Sequence, residues 1–380
     1  MKPLKIICGL GLLAILASNI WSISRWHESR GVYDDLCYLR QAHLFQRFGL
    51  NGIDTDISRD DDRYFANKLK EIGYPEWNNP ARSPCHTPMP ALNKNVIQYP
   101  PGTGFVLAAF PAGFQVIPLF VLASLVAFGF ALLALLRAST IPLVLLAALF
   151  GDLAVYLMIN PTKASYSMAP TMMVCALAGY LSARLFATGA GRQRLVLAAL
   201  IGLLIGLSVS FRLPNVVLAA GYGVFFLVAF VIARNRQTFL EGLGFGIAFL
   251  IGLAPTLAAH AVNAGSPFAT TYGGIDVAPP ELNAAVVLSY VADLQFVLLV
   301  IAGAWSTLIL RFGYRSRAGQ AALLVTVNLA FNIVFFMSHP VFTPYYTVPI
   351  SMLSLWTLLF ATLKPYGETA ADKSAPATTG

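Results

Sequence analysis

"GVYDDLCYLRQAHLFQRFGLNG", residues 31–52, follows closely on an apolar run that begins at Ile6. Two adjacent carboxylates, Asp34 and Asp35, stand just beyond what reads as a membrane-crossing helix. From there on, Leu36, Leu39, Ala42, Phe45 and Phe48 recur every three residues, with Arg40, Gln41, His43, Gln46 and Arg47 between them. That spacing predicts an amphipathic helix, too short and too polar to span a bilayer, which suits one lying in the membrane interface. Its first turn holds Asp34 and Asp35, where the helix dipole and free N–H groups favour anionic side chains. Two readings of the pair stay open: caps of a helix, or carboxylates set at the lip of a bilayer for chemistry.

The rest of the chain supplies the bilayer. Of its 380 residues, 57% are hydrophobic and 11% charged, whereas soluble domains carry about a quarter charged residues. Apolar runs of about 18 to 22 residues recur, each long enough to cross roughly 30 Å of hydrocarbon as a helix. They are continuous rather than alternating, which points to helices and not a barrel. The expected fold is an all-α polytopic bundle of about ten transmembrane helices, near 5–23, 114–136, 141–160, 171–187, 195–213, 215–233, 241–262, 294–311, 319–337 and 345–363. Residues 1–363 read as one membrane-embedded unit, the first span as an uncleaved anchor, and 364–380 as a disordered tail of small residues.

The formal charge of +8 does not mark a nucleic-acid binder. Residues 24–103 hold ten acidic and ten basic side chains, so the surplus lies elsewhere. It falls in short clusters such as Arg137, Arg184 with Arg192 and Arg194, and Arg311 with Arg315 and Arg317, in every second inter-helix loop. This is the positive-inside pattern, and it predicts both termini in the cytoplasm of a cytoplasmic (inner) membrane protein. The opposite, extracytoplasmic face receives the complex segments: the long first loop 24–103, "NPTKASYSMAP" near 160–170, "FRLPN" at 211–215, "NAGSPFATTYGGIDVAPPELN" at 263–283 and "SHPVFTPYYTVP" at 338–349. A protein whose complexity lies on one face works on that face.

Four cysteines are present. Cys8 and Cys175 fall in predicted spans and read as small packing residues. Cys37 and Cys85 share the large outer loop, where the compartment is oxidising. Two states are open for them, free thiols or a bridge closing about 49 residues and worth about 4 kcal/mol. Cys85-His86 lacks a second ligand pair at the spacing of a metal site. Arg212 and Lys163 are the basic residues beyond the first loop that fall on the outer side. A cation at the membrane's outer margin is costly without an anion, although snorkelling to headgroups also accounts for one. Asp152 falls inside the third span, to be read as a functional acid or as one paired to a neighbouring helix. "SRDDDRYF" at 58–65 reads as a solvated turn rather than a metal site. Tyr166, Tyr272, Tyr345 and Tyr346 cluster at outer helix ends, as an aromatic belt or as hydrogen-bonding groups.

The order of these segments resembles the GT-C class of membrane glycosyltransferases, which includes protein O-mannosyltransferases and the aminoarabinose transferases of lipid A. The match is carried by "DDLCYLRQAHLFQRFG", by "QYPPGTGFVLAAF" at 98–110, by "HAVNAGSPFATTYGG" at 260–274 and by "SHPVFTPYYTVP". The chain has Asp35 where the class often has Glu, and Pro344 where many members carry Arg before the Tyr. The resemblance implies transfer of a sugar from a polyprenyl-phosphate carrier to a glycan, lipid or protein acceptor. Asp34 would be the general base and Asp35 would orient it. Lys163, Arg212 and His339 would bind the carrier phosphate, and Tyr38, Tyr99, Tyr166, Tyr272 and Tyr345 would contact substrate. No cofactor is expected; metal dependence varies between branches of the class, and transfer without a divalent metal is the reading favoured over transfer with one. The competing readings are a lipid-linked-sugar transporter or flippase, an O-antigen-type polymerase, and a non-catalytic envelope scaffold. A transporter calls for polar groups at mid-membrane, and a polymerase of that type for its large loop late in the chain.

Overall fold

The computed structural model describes residues 1–27, 33–156, 165–273, 279–313, 315–339 and 341–363. The chain is a multi-pass helical membrane protein. Among the described residues nine helical segments are long and apolar enough to cross a membrane. They are α1 (Lys2–Ile23), α5 (Val116–Arg137), α7 (Met168–Ala187), α8 (Arg192–Val209), α9 (Ala220–Ala233) with its 3-10 lead-in Leu213–Ala219, α10 (Arg236–Ala264), α12 (Phe296–Gly313), α13 (Arg317–Ser338), and α14 (Val348–Thr362) with Pro344–Thr347. The third expected span appears as α6 (Ile141–Tyr156), an apolar helix of 16 residues.

The bundle is organised around α14. Every residue from Val348 to Phe360 is buried, packed against α7, α12 and α13. Its polar residues bond to their own helix, Ser351 Oγ donating to the Thr347 carbonyl at 2.8 Å and Thr357 Oγ1 to that of Leu353 at 2.7 Å. Such back-bonding meets the rule that no polar group goes unpaired in hydrocarbon. At the periphery α1 packs on α5 and α6 and turns Ile6, Ile7, Leu10 and Leu13 outward. In water those side chains would be a liability, and in lipid they are ordinary. Asn19 stitches α1 inward, its amide donating to Ser124 Oγ and to the Val155 carbonyl.

One end of the bundle carries the segment between α1 and α5. Here α2 (Tyr33–Phe48) and α3 (Tyr64–Glu71) are joined by a small antiparallel hairpin, β1 (His86–Met89) and β2 (Lys94–Ile97), and by a short helix α4 (Gly102–Leu107). The hairpin, α3, α4 and a later helix α11 (Ala284–Ala292) did not stand out in the sequence.

The α2 helix forms, but protein encloses it on faces that the spacing leaves to water. Arg40 and Gln41, expected on its wet faces, are 1% exposed. Arg40 donates to the Thr55 and Asp56 carbonyls at 2.8 and 2.7 Å and bonds to His86 Nε2 at 2.8 Å. Burial lowers its pKa to about 10, so it stays cationic. The same enclosure holds His86 at about 3, hence neutral, with its other ring nitrogen donating to the Pro84 carbonyl. Cys37 of α2 is disulfide-bonded to Cys85 beside the hairpin. In the triple-acid turn each carboxylate has a partner, and Asp61 stays exposed. Asp60 accepts from the Phe65 and Ala66 N–H groups and so caps α3, while Asp61 pairs with Arg47 and Asp62 with His43 on α2.

Candidate functional site

Two breaks in regular structure bring the site together. After Tyr99 the chain runs Pro-Pro-Gly-Thr-Gly into α4, wedged between α2 and the end of α8. Gln41 donates to the Tyr99 carbonyl at 2.8 Å, and the Gly102 N–H donates to the Ser210 carbonyl at 2.7 Å. A Cβ on Gly102 would fall 2.7 Å from Ser210, and one on Gly104 would run into the Gln41 side chain. Both glycines are required by these close approaches. The second break is "FRLPN": α8 ends at Val209, Arg212 is extended, and Pro214 opens a 3-10 turn into α9. Asn215 holds this break by donating to Thr171 Oγ1 and to the Ser208 carbonyl.

Between the breaks lies a polar cavity of about 250 Å³. Asp34 and Tyr38 of α2 line it with Tyr99, Arg212, Tyr272 and Tyr345. Six of the twelve residues singled out in the sequence thus meet in one place, from five separate stretches of chain. The Tyr99 hydroxyl donates to the Asp34 carboxylate. Burial first, and then that negative charge, push the Tyr99 phenol far above its ordinary range. Burial does the same to Tyr38, whose hydroxyl is hydrogen-bonded to Ser167. Both phenols stay neutral, as donors and acceptors fixed in place. Their rings stack with centroids 5.1 Å apart, and Tyr272 meets Tyr99 edge-on at 6.1 Å.

Arg212 lines the same cavity at 6% exposure. Its guanidinium lies 4.6 Å from the Tyr345 ring centre and 5.0 Å from that of Tyr346, and one nitrogen contacts Met168 Sδ at 2.7 Å. No carboxylate among the described residues lies within ion-pairing distance of it. Cation–π contacts offset only part of the cost of desolvating such a charge. The wall therefore presents a positive charge whose best partner is an anion in the cavity.

The other expected residues go elsewhere. Asp35 is buried and accepts from the Tyr166 N–H at 3.1 Å and the Ser165 hydroxyl at 3.2 Å, so it ties the start of α7 to α2 rather than facing the cavity. Tyr166 is fully buried, its hydroxyl accepting from Trp26 Nε1, and does not line the cavity. His339 stacks on Phe335 and does not line it either. Lys163 lies outside the described residues. Cys37 and Cys85 brace the site from behind. Ser165, Ser167, Gln98, Pro214, Thr343 and Tyr346 complete the lining. All six fall in or beside a segment marked as outer-facing in the sequence; Tyr346 was named there among the tyrosines, and for the other five that adjacency was the one available signal.

Beside the polar cavity runs an apolar groove of about 620 Å³ between α6, α12 and α14. Leu149, Leu153, Leu298, Trp305 and Leu355 line it. It opens sideways past the exposed Leu149 and Leu294. Tyr345 lines both spaces, and Met168, the residue touching Arg212, lines the groove. The arrangement can hold an amphiphile with an anionic head at Arg212 and an apolar chain in the groove, next to a carboxylate. Compared with protein-family models, curated proteins and solved structures, the chain matches none.

Proposed function

We propose that the chain is a membrane glycosyltransferase that moves a sugar from a polyprenyl-phosphate carrier to an acceptor hydroxyl on the extracytoplasmic side. The observation that carries this reading is the meeting of Asp34 and the carboxylate-free Arg212 in one cavity that shares Tyr345 with a membrane-open groove. The acceptor oxygen attacks the anomeric carbon while the bond from that carbon to the carrier phosphate breaks. The acceptor's proton passes to the Asp34 carboxylate, which is held by Tyr99. The phosphate leaves with both electrons of the broken bond and needs a cation rather than a proton, which Arg212 supplies. Attack from the face opposite the phosphate inverts the anomeric centre. Tyr38, Tyr272 and Tyr345 offer hydroxyls and ring faces to the sugar. Asp35 acts one step back, by holding 165–166 against α2.

Mass spectrometry of envelope glycans tests this in cells carrying the wild-type chain, the Asp34→Asn variant or no chain. General-base catalysis contributes about 10²–10⁴-fold, so the Asn variant is expected to match cells without the chain while being present in the membrane at wild-type level. A glycan profile that ignores both the chain and Asp34 leaves the transporter or scaffold reading standing instead.

A further inference from the structure

Between α3 and the segment that follows it lies a second pocket, of about 160 Å³. Phe65 and Leu69 of α3, each 1% exposed, give it an apolar lining. Trp77, Arg63, Asn78 and Ser83 add an aromatic ring and polar groups. Asp60 lines it too, but both its carboxylate oxygens accept from α3, at the Phe65 and Ala66 N–H groups.

Two cations accompany the Trp77 ring, Lys70 with its ammonium 5.0 Å and Arg63 with its guanidinium 5.7 Å from the ring centre. Arg63 holds a left-handed backbone at φ 58° and donates to Asn78 Oδ1 at 2.6 Å. Among the described residues, nothing accepts from the Trp77 indole N–H, the Asn78 amide or the Ser83 hydroxyl. Three donors therefore stand unused beside one aromatic ring. A pyranose matches that set, because it has an apolar face of C–H groups to stack on an indole and a rim of hydroxyls to bond at its edge.

We propose that this pocket binds one sugar ring of the acceptor, which makes the acceptor a glycan; this rests on the glycosyltransferase reading. At about 160 Å³ it lies well below the about 300–1,000 Å³ of pockets for drug-sized ligands, so it has room for one ring and not for a chain. It is tied to the Asp34 cavity at two points. The Trp77 N–H donates to the Tyr74 carbonyl, and the Tyr74 ring meets Tyr33, the residue before Asp34, edge-on at 5.0 Å. Ser83 stands two residues before Cys85, which is bridged to Cys37 in the first turn of α2. Tyr33 is 44% exposed, so a glycan seated on Trp77 has an aromatic surface to follow toward Asp34. A lipid acceptor fits less well, since no membrane-crossing helix lines the pocket. A peptide fits less well too, since the Asn95 and Ile97 N–H groups of β2 are already taken by Asp56 and Thr55 and leave it no strand edge there.

The test uses the full-length Asp34→Asn chain in neutral detergent. The probe is the polysaccharide fraction from the envelope of cells without the chain, in which unmodified acceptor accumulates. Calorimetry is expected to show binding, and Trp77→Ala to weaken it about tenfold or more. With Asp34 intact, Trp77→Ala is expected to raise the acceptor KM by the same factor and leave kcat unchanged, the mark of a lost binding contact away from the reacting atoms. Should Trp77→Ala fail to fold, Ser83→Phe fills the pocket and removes no side-chain bond to a described residue. No binding of the polysaccharide fraction, or binding unchanged in both variants, overturns the proposal. Envelope glycans that depend on Asp34 but not on Trp77 remove the sugar site and leave the transferase. Binding that depends on Trp77, with glycans indifferent to Asp34, leaves the sugar site and removes the transferase.

Discussion

The two ends of the bundle use arginine in opposite ways. At the loop-bearing end a single guanidinium, Arg212, is almost fully enclosed, caged by Tyr345, Tyr346 and Met168, and faces Asp34 across a cavity. At the other end Arg137 and Arg184 are half-buried, Arg317 is exposed, and their stems lie along apolar wall. The second arrangement costs little, since long basic side chains reach water or headgroups by extending. The first costs several kcal/mol of desolvation unless an anion arrives. What separates them is the layer behind: Arg212 stands in a break held by Asn215, opposite an α2 helix fixed by a disulfide and by the buried Arg40. Position is supplied by that layer, and it is absent where position does not matter.

The comparison breaks most easily at Arg212. Arg212→Gln is expected to lower kcat/KM for a polyprenyl-phosphate sugar by about 10²–10³-fold, the loss seen when one preorganised donor to a developing anion is removed. Arg212→Lys recovers little of it, because a point charge replaces a planar group stacked on two tyrosines. Thermal stability is expected to hold or rise in the Gln variant, since a buried charge is relieved. Arg184→Gln at the other end should leave turnover unchanged. A large fall in melting temperature with turnover intact would make Arg212 a structural cation and erase the contrast.

Much of this end was legible in the sequence, and the gaps have physical causes. Continuous apolar runs and alternate-loop arginines announced a polytopic helical bundle, because in lipid the backbone has no other way to satisfy itself. Asp34, Tyr38, Tyr99, Arg212, Tyr272 and Tyr345 were expected at one site because of the resemblance carried by four stretches of sequence, with Arg212 also marked by its place in a break between spans. Tyr166 and Tyr345 stand at equivalent positions in the pattern, yet one is sealed against Trp26 and the other lines the cavity. Rotation about a helix end decides that, and packing decides rotation. Arg40 misled for a related reason. Its spacing placed it on a wet face, whereas residues 55, 56 and 86 fold over it, two bonding through carbonyls and His86 through a ring nitrogen. The β1–β2 hairpin was hidden because His-Thr-Pro-Met and Lys-Asn-Val-Ile lack clear alternation. Its outer edge is bonded instead by Thr55 and Asp56.

A smaller effect sharpens the role of the supporting layer. The Cys37–Cys85 bridge spans 48 positions and ties the helix bearing Asp34 and Tyr38 to the hairpin. Replacing both cysteines by alanine is expected to destabilise the 33–101 segment by about 2–4 kcal/mol. Hydrogen exchange should show the loss in α2, α3 and the hairpin, with α5, α7 and α13 protected as before at the arginine end. Exchange rising evenly through the bundle would mean that the segment is no separate support.

The smallest expected effect is a pH dependence confined to the same segment. His86 is held neutral in the fold, with a pKa lowered from 6.5 to about 3 by burial and by the neighbouring Arg40 charge. Unfolding frees it to protonate near its ordinary value, so the unfolded segment binds the extra proton. The stability that follows is complete above about pH 6.5 and is lost as pH falls toward 3, at about 1.4 kcal/mol per pH unit. Asp56, Asp61 and Asp62 also have lowered values, but from an ordinary 3.8, so they add to the loss only at the acid end of that window. Between pH 6 and 5 the slope belongs to His86. Opening of 33–101, measured by hydrogen exchange corrected for intrinsic rates, should therefore become about tenfold more frequent across that unit. His86→Gln keeps a partner for Arg40 without a group that titrates there, and should flatten the slope while α5, α7 and α13 stay flat in both chains. A slope that persists in the Gln variant would assign the acid sensitivity to another group and sever it from the layer that fixes α2.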